Sequence, residues 1–176
     1  MPEAHVLTLV AETQLEDNKV VAELGGQVFP DVEAGLRRLS VRYPLFIVSN
    51  CQTGYIEVFL RWSGLGACFR DFECWGNTGR SKADNLRALI ERNQLRHPVF
   101  VGDTPGDQAA ARECGAPFLY VDYGFGECDN VAQRFPSFAD LTTPLRPGDG
   151  ADRGGAAPGA RPRPPLAVRA PPGAPT

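Results

Sequence analysis

No run of about 18 apolar residues occurs in this sequence, which argues against an ordinary membrane-spanning helix. The first residues lack a basic segment followed by an apolar stretch and a small-residue cleavage pattern, so no secretory signal peptide is expected. No two of the five cysteines (Cys51, Cys68, Cys74, Cys114 and Cys128) stand in C-x-x-C spacing, so spacing encodes neither a zinc site nor a redox motif. Their odd number fits free, mostly buried thiols in a reducing cytosol, and a cytoplasmic location is expected. Histidine is scarce, at two residues. His5 lies near the beginning and His97 precedes Pro98 at the foot of an apolar run, away from any Ser that it could activate, and no G-x-S-x-G is present. A Ser-His-Asp hydrolase is therefore disfavoured. A basic excess is also missing: the net charge is −3, which excludes the usual nucleic-acid surface.

What is there divides unevenly. Hydrophobic residues at 43% and charged residues at 22% are those of a soluble globular domain. The stretch from Pro144 to Thr176 departs from this, with nine Pro, six Gly, and five Arg against two Asp. So little apolar surface cannot offset the entropy of ordering, and residues 144–176 are expected to be a disordered tail. Arg163-Pro164-Pro165-Leu166 within it has the composition of a polyproline ligand. The remainder of the chain is mildly acidic.

Between the ends, two periodicities alternate. Leu45-Phe46-Ile47-Val48, Val99-Phe100-Val101 and Phe118-Leu119-Tyr120-Val121 are short continuous apolar runs, as expected of strands buried on both faces, and Phe72-Glu73-Cys74-Trp75 is a weaker fourth. Helical patterns separate them. Asp31 stands before Val32, Leu36 and Leu39; Tyr55, Ile56, Phe59 and Leu60 share one helical face; Ser81 and Asp84 open a helix over 82–95; and Ala109–Ala111 belong to a helix over 107–114 that stops at Gly115. Strands alternating with helices predict an α/β fold: a Rossmann-like parallel sheet with helices on both faces. Ligands in such sheets bind beyond the carboxyl ends of the strands.

Three polar clusters fall at those ends. Ser49-Asn50 follows the first apolar run, where a hydroxyl and free backbone N–H groups suit a phosphate oxygen, although taken alone the cluster reads more simply as a cap on the next helix. Gly79-Arg80-Ser81-Lys82 leads into a helix; Lys82 either neutralises a phosphate or is an exposed first-turn lysine. Gly102-Asp103-Thr104-Pro105-Gly106-Asp107 sets two carboxylates four residues apart around a Pro-Gly turn. These are hard oxygen ligands of the kind magnesium takes, or helix caps. A further glycine-containing segment, Asp122-Tyr123-Gly124-Phe125-Gly126, reads as the loop after the last strand.

The order of these clusters resembles the haloacid dehalogenase-like (HAD) hydrolase superfamily, and within it the phosphoglycolate phosphatase-like members. Leu45–Asn50 matches the apolar strand ending in Ser or Thr, Lys82 the lysine at a helix start, and Val101–Asp107 the strand followed by G-D-x-x-x-D. Phe29-Pro30-Asp31-Val32-Glu33 resembles the junction between cap and core, and the likeness runs from about residue 28 to 141. The resemblance implies a magnesium-dependent phosphomonoesterase acting on a small phosphorylated metabolite. Ser49, Asn50 and Lys82 would bind the phosphoryl group. Asp103 would ligate Mg²⁺, and Asp107 would be a second ligand or would orient a ligand water.

The family's first motif, D-x-D-G-T on a central strand, has no counterpart here: no D-x-D occurs anywhere in the sequence. Its first Asp is the family's nucleophile, so the chain by itself is expected to be inactive, and a non-catalytic phosphate- and metal-binding or interaction domain is the alternative. Residues 1–27 are expected to be a remnant of a helical cap, with Val6, Val10, Val20, Val21 and Leu24 as a rough stripe; residues 28–143 form the core, and 144–176 the tail. The sheet is then expected to lack its usual central strand. His5–Val10 as a substitute strand, a complementing polypeptide, or a natural protein that begins further upstream would each resolve this, and the last is the leading expectation.

Overall fold

The computed structural model describes residues 3–143; the proline-rich stretch read above as a tail lies outside the described residues. Helix α1 spans Glu3–Leu24 without a single Gly or Pro, so its backbone groups are satisfied within the helix. His5–Val10 is therefore helical, which corrects its reading as a substitute strand. Of the expected apolar stripe, Val21 alone is buried; Val6, Val10, Val20 and Leu24 are all exposed. Gly25, with φ 71°, ends the helix.

The core follows as α2 (Val32–Ser40), β1 (Leu45–Ser49), α3 (Tyr55–Ser63), a 3-10 turn, β2 (Phe69–Cys74), α4 (Trp75–Thr78), α5 (Lys82–Arg92), β3 (Phe100–Gly102), α6 (Pro105–Glu113), β4 (Phe118–Val121), β5 (Arg134–Phe135) and α7 (Phe138–Thr142). The expected alternation is present, and every strand pair is parallel. Boundaries shift by local chemistry. β2 begins at Phe69, earlier than Phe72, and stops at Cys74, because Trp75 already starts a helical turn. α5 stops at Arg92 rather than at 95, where Asn93 caps it and Gln94 turns left-handed at φ 53°. β5 escaped the sequence reading because two residues, one of them charged, make no apolar run.

A parallel sheet lacking its central strand was expected, and the strands fall into two parallel sheets. β1 pairs with β2, and β3–β4–β5 forms a separate sheet; no ladder joins β1 to β3. The apolar run Leu45–Val48 is accordingly half-buried instead of closed on both faces, and Val101 is 42% exposed. Helices nevertheless tie the halves together. α5 packs on β1, on β2 and on α6, while α6 packs on β3 and β4. The core under them holds Leu65, Leu86, Leu89, Ala110, Ala111 and Tyr120.

Two polar devices fix α5. Asn85 is fully buried; it accepts from Thr78 Oγ1 at 2.8 Å and donates to the Arg80 carbonyl, which pins the loop before the helix. At the other end, Arg92 donates to Asp71, to Glu73 and to the carbonyl of Phe72, binding α5 to β2. Burial pushes the Asp71 and Glu73 carboxyls up, but hydrogen bonds from Arg92 outweigh it and hold both below the usual range. Arg92 is 41% exposed, so screening limits the value of the cluster. Arg92→Ala is expected to cost on the order of 1 kcal/mol in urea denaturation at low salt, and less near about 1 M salt, where charges more than a few ångströms apart no longer interact.

Candidate functional site

Lys82 is the first residue of α5. Ser81 caps that helix by accepting the Asp84 N–H at 3.1 Å, which aims the first turn back toward the carboxyl ends of the strands. Lys82 is not the exposed lysine of the simpler reading. Its side chain is 17% exposed, and its Nζ donates to Asp107 Oδ1 at 2.5 Å.

Asp107 sits in the first turn of α6, in a capping box with Thr104. Its Oδ2 accepts from Thr104 Oγ1 at 2.7 Å and from the backbone N–H groups of Thr104 and Asp103. Both carboxylate oxygens are thus engaged by protein donors. Burial favours the neutral acid, but the Lys82 ammonium and these hydrogen bonds more than compensate and hold the carboxyl below its ordinary range. Gly102 is required by this packing: a Cβ there would fall 2.5 Å from the Cβ of Asp107.

Asp103 leaves β3 at its carboxyl end. Its Oδ2 accepts the Phe125 N–H at 2.6 Å, while Oδ1 takes no hydrogen bond among the described residues. The loop after β4 closes directly onto it. At Gly124 a Cβ would lie 2.3 Å from Asp103 Cβ and from Oδ2, so no larger residue fits without moving the carboxylate. Burial, with the Asp103 charge nearby, pushes the Tyr123 hydroxyl up to about 12. Tyr120 donates to the Gly126 carbonyl at 2.9 Å and anchors the same loop from below.

Ser49 ends β1, in register with Cys74 at the end of β2. Its Oγ accepts the Cys51 N–H at 3.2 Å. Neither Ser49 nor Asn50 caps the next helix: α3 starts at Tyr55 behind Gly54, which removes the capping explanation for both. Cys51 is the nearest candidate nucleophile on that loop, but burial pushes its thiol up to about 12 and leaves it protonated and unreactive at neutral pH.

Curated proteins and solved structures resemble this chain over much of its length. A phosphoglycolate phosphatase of Yersinia pseudotuberculosis is 28% identical over 150 residues, covering 78% of this chain and 65% of its own length. A phosphoglycolate phosphatase of Rhodospirillum rubrum is 31% identical over 145 residues, covering 76% of this chain and 60% of its own. Among solved structures, a haloacid dehalogenase-like family hydrolase of Streptococcus pneumoniae superposes with a TM-score of 0.63 at 24% identity, over 68% of this chain and 60% of that one. A predicted phosphoglycolate phosphatase of Haemophilus somnus gives 0.61 at 22% identity, over 68% and 58%. The chain is thus similar in sequence to phosphoglycolate phosphatases and has the fold of haloacid dehalogenase-like hydrolases. No protein-family model matches it. It spans between 58% and 65% of the length of the curated relatives it matches.

The HAD-like fold brings two of the sequence-predicted residues into direct contact, Lys82 and Asp107, and ties Asp103 to the same carboxylate through its backbone N–H, which donates to Asp107 Oδ2 at 3.2 Å. Ser49 and Asn50 lie at the carboxyl end of β1, in the other sheet, and no hydrogen bond among the described residues joins them to those three. No group of three or more His, Cys, Asp or Glu side chains converges on a metal position among the described residues. The strand-end carboxylate of Asp103, with Oδ1 unclaimed among the described residues, is a hard oxygen donor of the kind Mg²⁺ takes. The structure adds the loop Tyr123–Gly126, whose glycines signalled close backbone approach without saying to what.

Proposed function

We propose that this HAD-like chain carries the phosphate- and magnesium-binding part of a phosphomonoesterase site for a small phosphorylated metabolite of the phosphoglycolate kind, and that it does not turn substrate over by itself. The observation that carries the reading is Asp103, held at the end of β3 with Oδ1 open, beside the buried Lys82–Asp107 pair. Lys82 spends one of its three N–H donors on Asp107 and keeps two for phosphate oxygens. The Ser49 hydroxyl and the backbone N–H of Asn50 would donate to the same group. Asp107 holds the ammonium charged and in place. Mg²⁺, when bound through Asp103, would supply neutralising charge to the phosphoryl oxygens. The family's nucleophile is an Asp in D-x-D, which this sequence lacks, so no residue here is assigned to form an aspartyl-phosphate.

The test is calorimetric titration of the 176-residue chain with Mg²⁺ and inorganic phosphate, together with an assay on 2-phosphoglycolate and a generic aryl phosphate. Binding is expected in the chain and a loss of at least about tenfold in Asp103→Ala, because a divalent ion loses its strand-end carboxylate. Hydrolysis is expected at the blank rate. Turnover that disappears in Asp103→Ala would instead mean that another residue acts as nucleophile.

A further inference from the structure

We infer that the aromatic cleft between α1, α3 and the loop after β4 is the docking site of this chain's own proline-rich segment, Arg161–Val168, held there as a polyproline II helix.

The cleft has a volume of about 270 Å³ and is open to solvent on one side. Five of the residues lining it are aromatic: Phe29, Tyr55, Phe59, Trp62 and Phe125. Phe125 is 69% exposed and Trp62 37%, so their rings offer apolar surface to an occupant. Trp62 lies flat against Gly25, where a Cβ would stand 1.8 Å from its Nε1. The Tyr55 hydroxyl and the Trp62 Nε1–H make no hydrogen bond to another described residue.

These features select a polyproline II segment. Such a helix makes no internal hydrogen bonds, so its carbonyls are free to accept from a Tyr hydroxyl and an indole N–H. An α-helix has spent its carbonyls, and a β-strand needs a backbone edge, which the cleft does not offer. Aromatic-lined grooves are what proline-rich segments dock into.

The chain carries such a segment outside the described residues: Arg161-Pro162-Arg163-Pro164-Pro165-Leu166-Ala167-Val168. With three residues per turn, Pro162, Pro165 and Val168 share one apolar edge, and Pro164 and Ala167 share the next. Arg161 and Arg163 are left for carboxylates. Asp17, Glu23 and Asp31 make no ion pair among the described residues. Glu23 and Asp31 stand within two positions of Val21 and Val32 of the cleft wall. Burial pushes the Tyr55 hydroxyl up, and the Cys51 and Asp17 side chains add to this, which puts Asp17 near the same end of the cleft. Against these three carboxylates stands Arg61, next to Trp62 in α3.

Reach favours the chain's own segment over a free one. The described chain ends just after α7, whose Phe138 and Thr142 lie against Gly35 of α2. Gly35 is about one helical turn, or about 5 Å, from Val32 in the cleft wall. Between Thr143 and Pro162 there are 18 residues, enough to span about 25 Å even as a flexible coil. A tether of that length supplies the segment at an effective concentration of about 1 mM.

The test is a nuclear magnetic resonance titration with a capped Arg161–Val168 peptide, followed at the Trp62 indole and at the amides of Gly25, Gly26 and Phe125. It compares the full chain with Pro162→Ser/Pro165→Ser, which leaves every described residue unchanged. The variant is expected to bind the peptide, and wild type to bind it about tenfold more weakly, because a tether at about 1 mM competes with a free peptide of about 0.1 mM Kd. Tyr55→Phe in the variant is expected to weaken peptide binding about three- to tenfold, by one hydrogen bond. Equal affinity for wild type and variant would overturn the proposal, since the cleft would then be vacant in wild type. So would no binding to either protein, equal binding of a peptide with both prolines changed to serine, or shifts confined to residues away from the cleft. Wild-type shifts that grow with protein concentration would also overturn it, by making a second molecule the source of the segment. The titration uses neither metal nor phosphate, so it stands apart from the phosphatase reading.

Discussion

Lys82→Met is expected to lower the unfolding free energy by about 3–5 kcal/mol, because it strands a buried carboxylate. Asp107 is 5% exposed, and Lys82 is the cation against its Oδ1. Methionine keeps the length and apolar stem of lysine, so the loss reports charge and not packing. Removing both charges in Lys82→Met/Asp107→Asn is expected to recover part of that energy, since no ion is then left without a partner. Recovery should be incomplete, because the Asp107 Oδ2 also serves the N–H groups of Asp103 and Thr104. The pH dependence has a definite sign. The Asp107 carboxyl is held below its usual range in the folded chain, so its contribution is complete above the ordinary carboxylate pKa, near about 4, and is lost as pH falls through the folded value. In Lys82→Met, burial prevails and the carboxyl protonates at higher pH. The gap between wild type and variant should therefore be widest near neutrality and close in acid. Urea denaturation from pH 7 downward measures it, and a gap that does not change with pH would mean that the pair contributes packing alone.

Gly124→Ala is expected to cost about 1–3 kcal/mol by overpacking, and to weaken Mg²⁺ binding as well. The added methyl would stand 2.3 Å from both Cβ and Oδ2 of Asp103, a separation that forces the carboxylate off its hydrogen bond to Phe125. Gly106→Ala is the matched control. It lies in the first turn of α6, and its nearest contact would be an ordinary 3.7 Å from Thr104 Oγ1, so its effect should stay within about 0.5 kcal/mol. Thermal melts of both variants with and without Mg²⁺ separate the two effects. A Gly124→Ala protein with wild-type stability and metal affinity would show that the loop after β4 yields freely and does not set the position of Asp103.

The strands most legible in the sequence are the runs at Leu45, Phe100 and Phe118, because continuous apolar residues between turn signals have few other solutions. The helix start at Ser81 was also legible, since Ser followed three residues on by an acid satisfies a helix's first N–H groups reciprocally, whereas α6 starts at Pro105 behind Thr104 and not at 107. The site was legible as a set of types at strand ends. Its wiring was not. Asp107 had two equally sound readings, ligand or cap, and sequence spacing does not say which donors reach a carboxylate. Lys82 had the same ambiguity between an exposed lysine and a buried one, and burial depends on α6 arriving beside α5 from 25 residues away.

By itself the sequence determined the parallel α/β alternation, the polar groups at the carboxyl ends of its strands and the lack of a D-x-D motif, because each is a matter of local pattern. Tertiary structure decided that the two-residue β5 pairs beside β4, that Lys82 and Asp107 neutralise each other in a buried pair, and that Gly124 lies against Asp103. The physical reason is common to all three. Strand pairing, ion pairing in low dielectric and close backbone approach depend on which distant segments meet, and a periodicity of two or 3.6 residues carries no record of that.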